Sequence, residues 1–270
     1  MRTITLLSDF GTGDGYVAAM KGVLLSLAPD AVLVDAAHEV PAQDVRAAGW
    51  VLEQYWRCFP AGTIHLAVVD PGVGTARRAL LVEADGHLFL GPDNGLFSWL
   101  LESAPAAAVR ALRPDVHGPN GISATFQGRD VFAWAAGLLA SGAARPGDLS
   151  DPAAGAIRAP WTRGHREASG RIAGEIVHID RFGNAITNLR REDLPAAAGP
   201  TLLIEARGHF FHQVRRTYAD VAAGHKLALI GSHGRLELAV REGSAAARLQ
   251  LRAGDAVTVA DSAGAPPGDA

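Results

Sequence analysis

Short apolar runs that end in polar, glycine-rich segments constrain the fold of this chain more than any other feature. Residues 64–69 form an almost continuous apolar run, as expected for a central strand buried on both faces, and Asp70-Pro71-Gly72 follows directly. Further strand-like runs occupy residues 4–7, 31–34, 79–83 and 87–90. Each is short enough for a strand and is followed by residues typical of turns.

Helical periodicity appears between several of these runs. Asp44 can cap a helix whose apolar side chains recur at i, i+3, i+4 and i+7. The apolar positions of the three predicted helices are Val17, Met20, Leu24 and Leu27; Ala48, Val51, Leu52 and Tyr55; and Val131, Trp134, Ala135 and Leu138. Alternating strands and helices predict an α/β domain over residues 1–160, with a mostly parallel sheet and helices on both sides.

The pattern changes in the second half of the chain. Residues 141–170 are rich in Gly, Pro, Ala and Ser, which predicts a linker. Turns then separate short strand-like runs, which predicts a smaller all-β domain over residues 161–262 and a disordered tail at residues 263–270. The strand-like runs are residues 172–179, 185–189, 202–205, 227–230 and 236–240.

Composition excludes several classes of function. The formal net charge is −3 and no Lys/Arg cluster is present, so we expect no nucleic-acid partner. No apolar run approaches the roughly 20 residues of a membrane helix, and the first apolar run ends at Ser8-Asp9, unlike a signal peptide. Cys58 is the single cysteine, so neither an intrachain disulfide nor a thiolate zinc site is expected. A cytoplasmic enzyme without membrane contact fits best.

Polar glycine-rich segments follow the first, third and fifth of these runs, at residues 8–15, 70–77 and 91–95. In an open parallel sheet, ligands bind outside the carboxyl ends of the strands. The first segment is neither a dinucleotide fingerprint nor a Walker loop. Its Asp9 suits the two hydroxyl donors of a ribose, but it could equally cap the next helix. The residues alone leave both interpretations open.

Asp70 and Arg77 are the sharpest candidate pair. A carboxylate and a guanidinium on either side of a glycine turn can hold one water molecule between acceptor and donor, whereas a structural salt bridge closing the turn is the plainer alternative. Residues 125–130 open the helix predicted at residue 131, where Thr125 or Asp130 could act as its cap.

Two polar turns stand out in the second half. Residues 180–184 place an aromatic side chain beside a glycine and an amide, which could bind a purine by stacking and by hydrogen bonds to its edge. A plain β-turn with a buried phenylalanine is the alternative. Residues 231–237 form a second polar turn that is able to hold a carboxylate. His209 and His212 lie three apart, but no nearby Cys or acidic cluster completes a metal site, and none is expected.

Seven ordered motifs together resemble one family, the S-adenosylmethionine (SAM) hydrolases, also called SAM hydroxide adenosyltransferases, which are related to fluorinase and chlorinase. The resemblance spans about residues 3–258. The motifs are SDFGTGDGY, HEVPAQD, VVDPGVGTARRAL, GPDNGL, TFQGRDVFA, IDRFGNAITN and GSHGRLELAVREGSAA.

The resemblance implies an N-terminal α/β domain, a barrel-like C-terminal domain and a homotrimer that binds SAM between one subunit's first domain and its neighbour's second. An activated water would attack ribose C5′ and release adenosine and L-methionine, with SAM as substrate and no cofactor. The implied catalytic residues are Asp70, Arg77 and Gln127. The implied substrate-binding residues are Asp9 at the ribose; Asp14 and Tyr16 near the methionine; Asn94; Phe182 and Asn184 at the adenine; and Asp180, Ser232 and His233 at the amino acid.

One departure concerns the catalytic set. The family's motif usually reads Thr-Phe-His-Gly-Arg-Asp, whereas this chain has Gln127 at the histidine position. Glutamine exchanges hydrogen bonds but cannot act as a base near neutral pH, so the substitution bears on rate more than on binding. A SAM-dependent halogenase forming 5′-chloro-5′-deoxyadenosine and a non-catalytic SAM or adenosine sensor are the alternative functions.

Overall fold

The computed structural model describes residues 2–195 and 202–261, and the disordered tail predicted at residues 263–270 lies outside them. The chain divides into two compact units, Met1–Ala159 and Pro160–Ala270, here called the N-terminal and C-terminal units. In the described part of the chain, no helix is both long and apolar enough to cross a membrane.

The N-terminal unit contains a seven-stranded sheet and helices. Its strands are β1 (Thr3–Ser8), β2 (Val32–Ala37), β3 (Ile64–Val68), β4 (Ala79–Ala84), β5 (His87–Pro92), β6 (Ala108–Leu112) and β7 (Ser150–Pro152). Its helices are α1 (Tyr16–Leu27), α2 (Val45–Tyr55), α3 (Ser98–Ser103), a π-helical segment (Gly128–Ala133), α4 (Trp134–Ser141) and α5 (Pro146–Leu149).

The sheet is mixed, so the prediction of a mostly parallel sheet was wrong. The strand order is β2-β1-β3-β5-β4-β6-β7, and only the first three neighbouring pairs are parallel. The change of direction occurs at Asp85-Gly86, where both residues have positive φ, at 49° and 80°. Such a two-residue turn joins only antiparallel strands, here β4 and β5. The prediction of a linker over 141–170 was also wrong in part, because α5 and β7 lie within that range.

Helices pack on both faces of this sheet. On one face α1 and α4 bury Met20 and Leu24 against Ile4 and Leu66 of the first and third strands. On the other face, α2 and α3 pack against the sheet in a second apolar cluster, which includes Leu7 of β1. Every residue of β3 is buried, as expected for a strand covered on both sides. The carboxyl end of β3 is therefore rigidly placed, and Asp70 follows it.

The C-terminal unit is built around a nine-stranded antiparallel-rich sheet that nearly closes into a barrel. The strands are β8 (His165–Arg166), β9 (Ile172–Ile179), β10 (Ala185–Arg190), β11 (Leu202–Ala206), β12 (His209–His212), β13 (Val214–Arg215), β14 (Lys226–Ile230), β15 (Arg235–Val240) and β16 (Ala256–Asp261), and α6 (Ala245–Arg248) is a short helix. The strand order is β12-β11-β16-β9-β10-β15-β14-β13, with β8 paired to β9. All five predicted strands are present, while β8, β12, β13 and β16 were not predicted.

A buried polar network crosses the N-terminal sheet away from the strand ends described above. His65 is fully buried, with Nδ1 2.9 Å from Thr5 Oγ1 and Nε2 3.1 Å from His87 Nδ1. Burial, and to a smaller extent the neighbouring His87, lowers the pKa of His65 to about 3. Burial also lowers the pKa of His87. Both imidazoles are therefore neutral in the folded protein at neutral pH.

Acid is expected to destabilise the protein through this pair. Unfolded histidine has a pKa near 6.5, so between pH 6.5 and about 3 the unfolded chain binds a proton at His65 that the folded chain does not. The free energy of unfolding then falls by up to about 1.4 kcal/mol per pH unit for this one group. Urea titrations from pH 7.5 to pH 4.5 measure the slope. His65→Gln is expected to flatten it and the exposed His225→Gln to leave it unchanged; equal slopes in both variants would contradict the assignment.

Candidate active site

The predicted catalytic pair forms a direct, largely buried ion pair at the end of β3. Arg77 Nε lies 3.0 and 2.9 Å from the two carboxylate oxygens of Asp70, and Arg77 Nη2 donates to Asp70 Oδ2. The side chains are only 10% and 6% exposed. The Phe132 ring lies beside the guanidinium, with its centroid 5.3 Å from Arg77 Cζ. The two-pronged contact with the guanidinium fixes the direction of the carboxylate.

Gln127 completes a contiguous three-residue cluster. Its Oε1 accepts a hydrogen bond from Arg77 Nη2, so its amide NH₂ group remains a donor for another partner. The residue directly precedes the π-helical segment Gly128–Ala133, which begins three residues earlier than the predicted helix. Wide turns of this kind occur frequently at functional sites. Asp130 is occupied by Arg129 and by the Ser123 N–H, and these contacts lower its pKa despite burial that raises it.

A cavity of about 370 Å³ opens beside this cluster. Four predicted site residues line it: Asp9, Tyr16, Asp70 and Gln127. Phe10 and Phe126 also line it and were not predicted; their rings and that of Tyr16 lie 5.1–5.8 Å apart, centroid to centroid. The signal in the sequence was an aromatic residue in each of the motifs SDFG and TFQG. The cavity therefore combines one apolar aromatic wall with one charged wall.

Asp9 faces this cavity and is oriented by the chain segment 38–44. The Gln43 N–H donates to Asp9 Oδ2 at 2.7 Å, while Oδ1 has no hydrogen-bond partner among the described residues. His38 supports the same loop, because its carbonyl accepts the Gly11 N–H and its Nδ1 lies 2.8 Å from Ser8 Oγ. Asp9 does not cap α1, since the N-cap residue is Gly15. The capping alternative for Asp9 is therefore wrong, and binding of ribose hydroxyls by Asp9 stays a prediction.

Asp14 and Asn94 do not line this cavity or the cavity of the C-terminal unit described below. Asp14 is exposed in the loop before α1. Asn94 Nδ2 donates to the Val69 carbonyl at 2.9 Å, and Asn94 Oδ1 accepts from Leu96 N–H at 3.2 Å. Both ends of this amide are used by the backbone, and one of them fixes the residue that precedes Asp70.

A larger cavity of about 780 Å³ belongs to the C-terminal unit. Five predicted site residues line it: Asp180, Phe182, Asn184, Ser232 and His233. Phe182 is 75% exposed, so the alternative of a turn with a buried phenylalanine is wrong. An aromatic ring this exposed, on a tight turn, offers its face to a planar ligand.

Asp180 organises that turn. Its Oδ1 accepts the N–H groups of Phe182 and Asn184 at 2.9 and 2.8 Å, and its Oδ2 accepts from Asn184 Nδ2 at 3.0 Å. One N–H of the Asn184 amide is engaged by Asp180, so its second N–H and its amide oxygen remain for a ligand. Asp180 thus holds both adenine candidates in place.

Tyr218 and Glu237 also line this cavity and were not predicted. Glu237 is 3% exposed, and a carboxylate buried on a strand is the feature that reveals it. The signal in the sequence was weak, since Glu237 stands between Leu236 and Leu238 in β15. Among residues 2–195 and 202–261, no group of three or more His, Cys, Asp or Glu is placed to hold a metal. His209 and His212 lie on β12, and His209 Nε2 is 3.1 Å from the Leu249 carbonyl.

Sequence comparison identifies relatives of both units. Residues 4–149 match the SAM hydroxide adenosyltransferase N-terminal domain and residues 174–258 match its C-terminal domain. Proteins named (R)-S-adenosyl-L-methionine hydrolase from Thermus thermophilus and Salinispora arenicola are each 42% identical, over 94% and 95% of this chain and 98% and 97% of theirs. A fluorinase from an Actinoplanes species is 28% identical over 95% of this chain and 96% of its own.

Structural comparison agrees. A crystal structure of a conserved protein from Thermotoga maritima has a TM-score of 0.86 at 30% identity, covering 95% of this chain and 99% of that one. Family matches to both units, together with relatives above 40% identity along nearly the whole length, carry one conclusion. The chain belongs to the SAM hydroxide adenosyltransferase family.

Proposed function

We propose that this protein hydrolyses S-adenosyl-L-methionine to adenosine and L-methionine by attack of water at ribose C5′. The observation that carries the proposal is the contiguous Asp70–Arg77–Gln127 cluster, of which Asp70 and Gln127 line a cavity, in a chain whose relatives are named SAM hydrolases. In the reaction, the water oxygen bonds to C5′, the C5′–S bonding pair leaves on sulfur as a neutral thioether, and one water proton is released.

The three side chains divide this task. Asp70 presents a fixed carboxylate that accepts a hydrogen bond from the water and then its proton. Arg77 holds that carboxylate in place and stabilises hydroxide character on the attacking oxygen. Gln127 turns its amide oxygen to Arg77, so its NH₂ group donates to the same water. Aligning one water behind an activated carbon can supply several kcal/mol, up to about 7–11 in the best cases.

Substrate binding is assigned to residues of both units. In the N-terminal unit, Asp9 accepts from the ribose hydroxyls, and Asp14 and Tyr16 lie toward the methionine. In the C-terminal unit, Phe182 stacks on adenine and Asn184 accepts from its amino group through the free amide oxygen. Ser232 and His233 bind the amino acid, while Asp180 acts mainly through the turn that it holds. Asn94 acts indirectly, because its hydrogen bond to the Val69 carbonyl fixes the backbone next to Asp70.

The epimer that we propose as substrate is R at sulfur, because four of the relatives carry that configuration in their names. Incubation with pure S-SAM and with an R,S mixture, followed by chromatography of adenosine, tests both reaction and epimer. Adenosine above the buffer control, with only the R form consumed, is the expected result. Intact SAM in the R,S mixture would contradict hydrolysis and support a sensor. Chloride-dependent formation of 5′-chloro-5′-deoxyadenosine would support the halogenase.

Assembly, cofactor use and location are further parts of the proposal. The family resemblance supports a homotrimer, for which light scattering is expected to give three times the chain mass. No cofactor is needed, because SAM itself is the activated substrate, so dialysis against a chelator is expected to leave turnover unchanged. We place the protein in the cytoplasm, since its single cysteine cannot form an intrachain disulfide.

A further inference from the structure

Glu237 is a buried carboxylate on the wall of the C-terminal cavity that the proposed reaction does not use. It lies on β15, where it is 3% exposed and registers between Ile186 of β10 and Leu229 of β14. Apolar neighbours of this kind make a buried charge costly unless donors satisfy it. A carboxylate kept at such a position therefore needs either its partners or a function to account for it.

Two cavity-lining side chains supply the partners. The Tyr218 hydroxyl donates to Glu237 Oε1 at 2.5 Å, and His233 Nε2 lies 3.2 Å from Glu237 Oε2. Both residues lie outside regular strands, since Tyr218 begins a single 3₁₀ turn and His233 occupies the turn before β15. Tyr218 is 40% exposed, so its packing alone does not fix the ring. The buried Glu237 carboxylate therefore anchors two side chains that do not lie in strands.

The backbone nearby is shaped to allow this arrangement. A Cβ added to Gly231 would lie 2.7 Å from Glu237 Oε2 and closer still to His233 Nε2, so any side chain there would displace the pair. Gly231 begins the turn that follows β14 and accepts no substitution without moving His233. The close approach of the imidazole to the carboxylate is thus built into the turn.

We infer that Glu237 is a positioning residue that fixes Tyr218 and His233 on the cavity wall, and so sets the affinity for the nucleoside and amino-acid parts of SAM. The inference rests on the proposed function for the identity of the ligand. Tyr218 shares its cavity with Phe182, so a ring held by its hydroxyl presents a constant surface to a planar group. Glu237 contacts Tyr218 and His233, which line the cavity assigned to substrate binding, so it acts on binding rather than on the bond-breaking step.

Kinetics distinguish this role from a catalytic one. Glu237→Ala is expected to raise KM for SAM and Kd for adenosine by roughly 5- to 10-fold, the size of one fixed aromatic contact, with kcat within about twofold. Glu237→Gln keeps an amide oxygen for the Tyr218 hydroxyl and is expected to restore most of the affinity. The exposed Glu192→Gln removes an equal charge elsewhere in the unit and is expected to change neither constant.

Tyrosine absorbance supplies a readout that a merely structural role would not move. Burial and then the hydrogen bond to Glu237 raise the pKa of Tyr218. Glu237→Gln is expected to let Tyr218 ionise at a lower pH, which changes the absorbance titration at 295 nm. The same substitution made together with Tyr218→Phe is expected to cause no such change. The chain has three tyrosines, so the phenylalanine variant assigns the signal.

The outcomes separate this inference from the proposed function. If the wild-type protein releases no adenosine, the proposed function fails, while calorimetry with adenosine and the tyrosine titration still decide the role of Glu237. If Glu237→Ala binds adenosine as tightly as wild type, or if the titration of Tyr218 is unmoved in Glu237→Gln, the positioning role is wrong. Should Glu237→Ala fail to fold by circular dichroism, Glu237→Gln and Tyr218→Phe carry the test.

Discussion

Asparagine in place of Asp70 is expected to slow adenosine release by about 10²–10⁴-fold, the range for loss of a positioned proton acceptor. The amide keeps the shape of the carboxylate and can still accept one hydrogen bond from Arg77, so the site is not emptied. The KM for SAM is expected to change little, because Asp70 acts on the attacking water and not on the bound substrate. Single-turnover assays followed by chromatography measure the effect.

Two controls make the Asp70 result decisive. Asp115→Asn removes a carboxylate whose side chain is 80% exposed, and it is expected to retain full activity. Thermal unfolding of Asp70→Asn checks stability, because the largely buried Arg77 loses its charged partner and buried pairs are costly to break from one side. A folded Asp70→Asn protein with activity within threefold of wild type would remove Asp70 from the chemistry.

Histidine in place of Gln127 is expected to raise kcat by roughly 10²-fold, the lower end of what a positioned base contributes. In the neutral imidazole one ring nitrogen is an acceptor and the other an N–H donor, so the acceptor nitrogen acts as a base on the water when the hydrogen bond that Gln127 Oε1 now takes from Arg77 Nη2 is given up. The variant is also expected to lose activity below about pH 6.5, where an ordinary imidazole is protonated and no longer a base.

The pH–rate profile and a matched variant test the Gln127 prediction. Gln127→Ala removes the amide and is expected to be slower than wild type, because the water then loses a donor. A wild-type profile without the inflection seen in Gln127→His would link that inflection to the new imidazole. If a folded Gln127→His variant is no faster than wild type at pH 8, the glutamine already performs the family histidine's part.

The sequence predicted most of the strands and the polar residues at their ends, but not the direction of every strand. Strand ends rich in Gly and Asp predicted where Asp9, Asp70 and Asn94 would lie, because carboxyl ends of neighbouring strands meet at one edge. Sheet direction was harder, since a strand's composition does not show which way it runs; the Asp85-Gly86 pair did hold that information. Glu237 was missed because burial, rather than residue type, gives it significance.

Residue identity also left the use of each amide undetermined. Asn94 and Asn184 have the same side chain, yet one is consumed by backbone groups and the other keeps an oxygen for a ligand. Only the positions of Val69 and Asp180 decide between these outcomes. The hydrogen bonds that each side chain already makes therefore decide which of its atoms can still contact a ligand.

The wide turn at Gly128–Ala133 has a consequence for how this stretch of chain can vary in length. Successive residues of a regular helix are rotated by about 100°, so removing one residue between Gln127 and Phe132 would swing the amide well away from Arg77. Exchanging side chains here alters chemistry, whereas shortening the stretch would dismantle the alignment itself. The count of residues, as much as their kind, is what keeps amide and guanidinium in register.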